Sequence, residues 1–245
     1  MLPLDQQTVF LTGAAQGLGA AIARHFSARG ARLVLLDWNA EGLERTVADC
    51  GGKPRSIVVD LTSAADTARA LFDAMADVSA VDTLIHNAAI LKPEPFSEVT
   101  LETFRATVDV GLLGGFLLAK AVWPGMVRRG GGALLFVSSR SGIEGVAEEI
   151  AYCTAKHGIE GFSKSIAQAG RDHGIISSTI TPGIYMHTPS SEATYTEAER
   201  SKWVEPDVLA RAFALFAETR SPDFNGQRLN AWQLVQARDA AQAHG

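Results

Sequence analysis

Six apolar runs rich in Val, Ile and Leu recur along the chain: Thr8–Thr12, Arg32–Asp37, Arg55–Asp60, Thr83–Asn87, Ala133–Ser138 and Ile175–Thr181. None alternates cleanly between apolar and polar residues, the pattern of strands covered on both faces in a parallel sheet. Between them, helical spacing runs over Leu18–Ala28, Ala40–Ala48, Ala64–Met75, Leu101–Arg128, Ala151–Arg171 and Pro206–Ala217. Ser63 and Asp66 form a capping box ahead of the third of these. This alternation predicts a right-handed βαβ series, hence an α/β fold: a single-domain, doubly wound (Rossmann-type) parallel sheet with helices on both faces, spanning 1–245. Residues 186–203, rich in Ser, Thr and Glu, break the alternation and are predicted to be a substrate-capping loop, a solvated surface loop being the alternative.

Composition narrows the class. A chain of 245 residues, 47% hydrophobic and 20% charged, can bury a large core without disulfides or metal. A net charge of −5 leaves no basic surplus to neutralise phosphates, so nucleic acid is not expected as a partner. Cys50 and Cys153 are too few for a disulfide framework and point to a reducing cytosol. The start, Met-Leu-Pro-Leu-Asp, lacks the basic and apolar regions of a signal peptide. The stretch Val108–Trp123 is interrupted by Asp109, glycines and Lys120, and reads as a buried helix rather than a membrane span. A soluble cytoplasmic protein with no membrane partner is expected.

The first strand runs straight into Gly13-Ala-Ala-Gln16-Gly17-Leu18-Gly19 and then into a helix. Glycines at such a turn let the backbone approach a diphosphate, and the helix N-terminus offers free N–H groups with a positive dipole end. The second strand ends at Asp37, whose carboxylate can accept both ribose hydroxyls of NAD and repel the 2′-phosphate of NADP. Neither Gln16 nor Trp38-Asn39 supplies a cation for that phosphate, so NAD is the expected cofactor. Asp37 is also placed to cap the following helix.

Tyr152 and Lys156 stand four residues apart at the start of a predicted helix and so share one face. A phenol becomes a useful acid–base near neutral pH only when positive charge stabilises its phenolate. The fifth strand ends at Ser138-Ser139, where strand ends line the ligand crevice and a hydroxyl can donate to a substrate carbonyl.

Thr12-Gly13-x-x-x-Gly17-x-Gly19, Asn87-Ala88, Ser139, Tyr152-x-x-x-Lys156 and Pro182-Gly183, in this order from Thr8 to about Asn230, resemble the short-chain dehydrogenase/reductase family. The serine and tyrosine are thirteen positions apart, as is usual there. The resemblance implies Tyr152 as general acid/base, Ser139 as donor to the substrate oxygen, and Lys156 as ribose ligand and electrostatic partner of the tyrosine. It implies Asp60 and Leu61 at adenine, Asn87 and Ala88 near the adenosine ribose, and the Ile184 backbone at the carboxamide. Its long helices imply a homodimer or homotetramer.

Four departures stand out. Gly111 occupies the place of a family asparagine that marks a helix break, where a backbone carbonyl holds a relay water near the lysine. Glycine tolerates such a break and keeps a carbonyl, so activity is expected to survive. His86-Asn87-Ala88-Ala89 replaces Asn-Asn-Ala-Gly, Thr188 stands one place late, and the strand-like tail Asn225–Gln233 lacks the closing Asp-Gly-Gly.

The six histidines show no metal-ligand spacing, no Gly-x-Ser-x-Gly elbow supports a hydrolase, and Cys153 reads as a buried small hydrophobe. Arg140, Ser141, Glu144, Glu148 and Glu149 suggest a hydroxylated or charged substrate, Glu149 being placed to accept from a polyol. The expectation is NAD-dependent interconversion of a small polar secondary alcohol (polyol, sugar or hydroxy acid) and its ketone. An NADPH-dependent carbonyl or 3-oxoacyl reductase, or a cofactor-binding regulator without turnover, are the alternatives.

Overall fold

In the computed structural model, which describes residues 1–76, 78 and 80–243, the strands β1 (Thr8–Thr12), β2 (Arg32–Asp37), β3 (Arg55–Val58), β4 (Thr83–His86), β5 (Gly132–Val137), β6 (Ile175–Thr181) and β7 (Arg228–Asn230) form one sheet. Its order is β3-β2-β1-β4-β5-β6-β7, and every neighbouring pair is parallel. The chain winds outward in one direction from β1 to β3, then returns to place β4 on the other side of β1. Ligand crevices of open α/β sheets form where the winding reverses, beyond the strands' carboxyl ends.

Among the described residues the α-helices are α1 (Gly17–Ala28), α2 (Ala40–Asp49), α3 (Ala64–Ala76), α4 (Leu101–Val108), α5 (Gly114–Arg129), α6 (Ile150–Gly170), α7 (Pro189–Thr194), α8 (Glu197–Arg200), α9 (Pro206–Thr219) and α10 (Ala231–Ala243). Alternate strand residues divide between two cores. Val9, Leu11, Leu33 and Leu35 meet Leu18, Ile22 and Phe26 of α1 and Leu209, Phe213 and Phe216 of α9. Phe10, Val34, Leu84 and Phe136 meet Leu71 of α3, Leu118, Val122 and Met126 of α5 and Ile159 of α6. Burial of each such large side chain contributes about 1.5–3 kcal/mol, which holds both helical layers to the sheet.

Several boundaries differ from the sequence expectation. β3 stops at Val58, because Asp60 turns back to accept from the Thr62 N–H at 2.9 Å. Only half of the expected capping box forms: the Asp66 N–H donates to the Ser63 hydroxyl at 3.2 Å, which in turn donates to the Asp66 carboxylate at 2.8 Å, while the Ser63 N–H donates to the Asp60 carbonyl instead. Residues 101–129 are not one regular helix: a π-turn over Asp109–Leu113 divides α4 from α5. That stretch is long and apolar enough to cross a membrane by composition, yet its apolar face lies against the sheet through Leu118, Ala119, Val122 and Met126. The expected irregular loop 186–203 carries α7 and α8, each opened by a threonine capping box (Thr188 with Ser191, Thr196 with Glu199). The tail forms a strand of three residues and then α10, whose period is weak because few of its residues, Ala231 and Val235 among them, are fully buried.

Candidate active site

The turn between β1 and α1 is made by backbone that side chains would block. Gly13 and Gly17 adopt φ of +66° and +54°. A Cβ on Gly13 would stand 2.7 Å from Asn87 Nδ2, and one on Gly19 would strike the Gly13 carbonyl. Asn87 Nδ2 donates to that same carbonyl at 3.0 Å, while the Thr12 hydroxyl accepts the N–H groups of Asn87 (3.1 Å) and Ala88 (3.2 Å). Gln16 begins α1 with no side-chain cap, so the first amides of the helix are left for a ligand.

Asp37 closes the far side. Its Oδ2 accepts from the Ala15 N–H and its Oδ1 from the Asn39 N–H, each at 2.9 Å. The cap of α2 is Asn39, which accepts from the Gly42 N–H at 3.0 Å, so Asp37 does not serve as the helix cap. The carboxylate instead ties the glycine turn to the end of β2. Trp38 beside it is 75% exposed, an open aromatic face at the cleft rim.

At the other end, Ser139 lies just past β5, and Tyr152 and Lys156 occupy the first turns of α6. The Lys156 ammonium donates to the Val137 carbonyl at 2.6 Å and sits 5.3 Å from the centre of the Tyr152 ring. Burial lowers the Lys156 pKa to about 8 against the opposing pull of Glu160. Burial also pushes the Tyr152 phenol well above its usual value, with Glu149 and Tyr195 adding to the rise, while a hydrogen bond with Ser139 works the other way. The Ser139 hydroxyl accepts the Ser141 N–H at 3.2 Å, and Ser141 Oγ donates to Glu149 at 2.6 Å.

Behind Ser139 lies a buried network that sequence reasoning missed. Glu160, 5% exposed, accepts from Ser138 Oγ (2.6 Å), Thr179 Oγ1 (2.8 Å) and Arg228 Nε (3.1 Å). Arg228 also donates through Nη2 to the Ser139 carbonyl at 2.9 Å. A signal existed for Glu160, which stands four residues beyond Lys156 on the same helix; none existed for Arg228. The aromatics Tyr185 and Tyr195, edge to face at 5.2 Å and both lining the cleft, were missed as well.

Together these elements border one cleft of about 1200 Å³ along the carboxyl ends of the strands, room enough for a dinucleotide with a small substrate. Gly13, Gln16, Gly17, Leu18, Asp37, Trp38, Asp60, Leu61, Asn87, Ala88, Ser139, Tyr152, Lys156, Pro182, Gly183 and Ile184 all line it. Gly19 does not, being buried beneath the turn. Gly183 (φ +76°) lies hard against the Asn230 side chain, and Pro182 accepts from the Trp232 N–H at 3.1 Å, so the tail braces this wall without an Asp-Gly-Gly ending. Thr188, the cap of α7, faces Gly17 across the cleft. Cys153 is half-buried rather than buried, its thiol 3.7 Å from the Glu144 carbonyl.

Residues 7–199 match the family model described as short chain dehydrogenase. The chain belongs to the short-chain dehydrogenase family. Among its curated relatives in that family, D-threitol dehydrogenase of Mycolicibacterium smegmatis is 30% identical over 237 residues, covering 92% of this chain and 91% of the relative. Sorbitol dehydrogenase of Cereibacter sphaeroides is 30% identical over 182 residues, 74% of this chain and 71% of the relative. Among solved short-chain dehydrogenase structures, a protein from Beutenbergia cavernae described as an NAD(P)-dependent gluconate 5-dehydrogenase, with NADP bound at low occupancy, superposes with a TM-score of 0.83. It is 25% identical, and the match covers 92% of this chain and 94% of that one. The chain is thus an oxidoreductase of alcohols and ketones that uses a nicotinamide dinucleotide.

Proposed function

We propose that the protein is an NAD-dependent dehydrogenase of small polar secondary alcohols, with neutral polyols and sugars foremost and hydroxy acids as the further class. The observation that carries the cofactor choice is the setting of Asp37. The charged residues lining the β2–β3 end of the cleft are Asp37 and Asp60, whereas the lining cations Arg140, Lys156 and Arg228 lie at the opposite, serine–tyrosine end. Among the described residues that line that end of the cleft, a ribose 2′-phosphate would meet carboxylate and no counter-charge. The NADP in the Beutenbergia cavernae relative favours a second reading, an NADPH-dependent carbonyl or 3-oxoacyl reductase.

The glycine turn and the uncapped start of α1 fit a diphosphate, Asp37 fits the adenosine ribose hydroxyls, and Asp60 and Leu61 with Asn87 and Ala88 fit the adenosine around them. Pro182, Gly183 and the Ile184 backbone fit the nicotinamide end, with Lys156 at its ribose. When bound, NAD supplies the hydride acceptor. Ser139 donates to the substrate oxygen, and Tyr152 takes the carbinol proton as phenolate or returns it as phenol. The positive charge of Lys156 offsets the burial that holds the phenol neutral. The names of the threitol and sorbitol relatives support the substrate class, as do Ser141 and Glu149 beside the tyrosine. One domain of 245 residues carries both halves of the site. We place it in the cytoplasm as a homodimer or homotetramer, with its two cysteines free.

The test is a dinucleotide titration followed by a nicotinamide absorbance screen over polyols, aldoses, hydroxy acids and cyclic alcohols. Tight NAD binding with turnover of a polyol is the expected result. Preference for NADPH would overturn the role of Asp37, and binding without turnover on any substrate would favour the regulator.

A further inference from the structure

We propose that His86, which does not line the cleft, is a positioning residue: its imidazole clamps the π-turn of residues 109–113 in the register that seats α6, and with it Tyr152 and Lys156. The inference rests on the catalytic reading above.

His86 ends β4 and is 2% exposed. Its Nδ1 lies 2.9 Å from Thr12 Oγ1 and its Nε2 lies 3.3 Å from the Gly111 carbonyl. A carbonyl oxygen only accepts, so Nε2 carries the hydrogen. Nδ1 must then accept, and the Thr12 hydroxyl must donate to it. The lone pairs of that hydroxyl are taken by the N–H groups of Asn87 and Ala88. Donors and acceptors in the chain Ala88–Thr12–His86–Gly111 therefore balance with a single tautomer and no spare proton. The imidazole pKa is lowered to about 4 by burial first and by Lys156 second, so the ring stays neutral and serves as a strut rather than an acid–base.

The turn and the first residues of α5 after it pack around this ring. A Cβ on Gly115 would stand 3.1 Å from His86 Cδ2, and one on Gly114 would stand 3.6 Å from Cε1. On its other side the same turn bears on α6. A Cβ on Gly111 would come within 3.1 Å of the Ala155 Cβ, and Leu112 Cδ2 occupies the space that a Cβ on Gly158 would need, 2.6 Å away. Ala155 and Gly158 flank Lys156 in sequence. Thus a continuous set of contacts runs from the end of β1, through the imidazole, to the helix turn that carries the reacting phenol and its ammonium. A π-turn holds one residue more per turn than the α-helix around it, and loss of the strut lets it relax toward regular spacing. That relaxation moves the face on which α6 rests.

The experiment compares three variants of the full chain. His86→Gln keeps a donor long enough to reach Gly111, His86→Asn is too short to reach it, and His86→Phe keeps the ring without nitrogens. Amide hydrogen exchange over residues 109–113 and 150–158 is read beside steady-state kinetics on a turned-over alcohol. The expected result is faster exchange in both segments and a fall in kcat of about tenfold for Asn and Phe, with KM and NAD affinity within about twofold, and recovery in Gln. An Asn variant that matches Gln in both exchange and kcat would overturn the proposal, even if Phe fails to fold. So would a loss of kcat that NAD affinity follows in equal measure. If the wild type turned over nothing, the catalytic reading would fail, and the exchange data alone would still uphold or overturn the strut.

Discussion

Replacing Arg228 by methionine tests the buried network beneath Ser139. In the wild type the Glu160 carboxylate, its side chain 6% exposed, is held by the guanidinium at 3.1 Å and by two hydroxyls. Methionine of similar length fills much of the space but leaves a buried charge with neutral donors only, and the Ser139 carbonyl loses its Nη2 partner. Breaking a buried pair from one side costs about 3–5 kcal/mol. The Arg228 side chain is 26% exposed, so water reaches the vacated site and the lower figure, about 3 kcal/mol, applies. For a chain of this size that is a fall in melting temperature of about 6–12 °C, read by calorimetry or circular dichroism. The double variant Arg228→Met/Glu160→Gln should lose less than the two single losses combined, because the stranded charge is gone. A fall of less than about 2 °C in Arg228→Met, or strict additivity in the cycle, would refute the claim that this pair holds the strand end in place.

Two further outcomes follow from the same geometry. Asp37→Ala should narrow the discrimination against NADP by about tenfold to a hundredfold, the loss of one repulsive charge of roughly 1–3 kcal/mol, while also weakening NAD; competitive titration of both dinucleotides reads this, and unchanged discrimination would remove Asp37 from cofactor choice. Because the folded pKa of His86, about 4, lies below its unfolded value of 6.5, the unfolded chain binds more protons between those values. Stability from this group is therefore complete above about pH 6.5 and is lost as pH falls toward 4, by about 3 kcal/mol, with Lys156 the charge that faces the ring. Denaturant unfolding across that range should show the loss in wild type and a flatter profile in His86→Gln.

The inner strands were legible because burial on both faces favours runs of Val, Ile and Leu, and because the turns after β1, β2 and β5 carry residues with few other uses there. The edge strand β3 departs from this, its residues alternating half-buried and exposed with Val58 turned to solvent. The site residues at those strand ends met in one cleft for the same reason: a parallel sheet aligns its carboxyl ends. Gly19 packs on the Gly13 carbonyl and does not itself line the cleft, and spacing alone cannot tell a glycine that approaches a ligand from one that approaches its own backbone. Asp37 could cap or bind by composition, and only the Asn39 contact with Gly42 separated these roles. Glu160 and Arg228 meet across 68 residues, a pairing no local pattern encodes. The π-turn was foreshadowed only by Gly111, and the contact of its carbonyl with a histidine 25 residues earlier became visible once both were placed in space.

The most direct test of the whole account is NADH formation by wild type and Tyr152→Phe at saturating NAD and alcohol, with NAD affinity measured in parallel. The account predicts a fall of about a hundredfold to ten-thousandfold in turnover with NAD affinity little changed, since only the proton-carrying oxygen is removed. Turnover in the phenylalanine variant within a few-fold of wild type would contradict it.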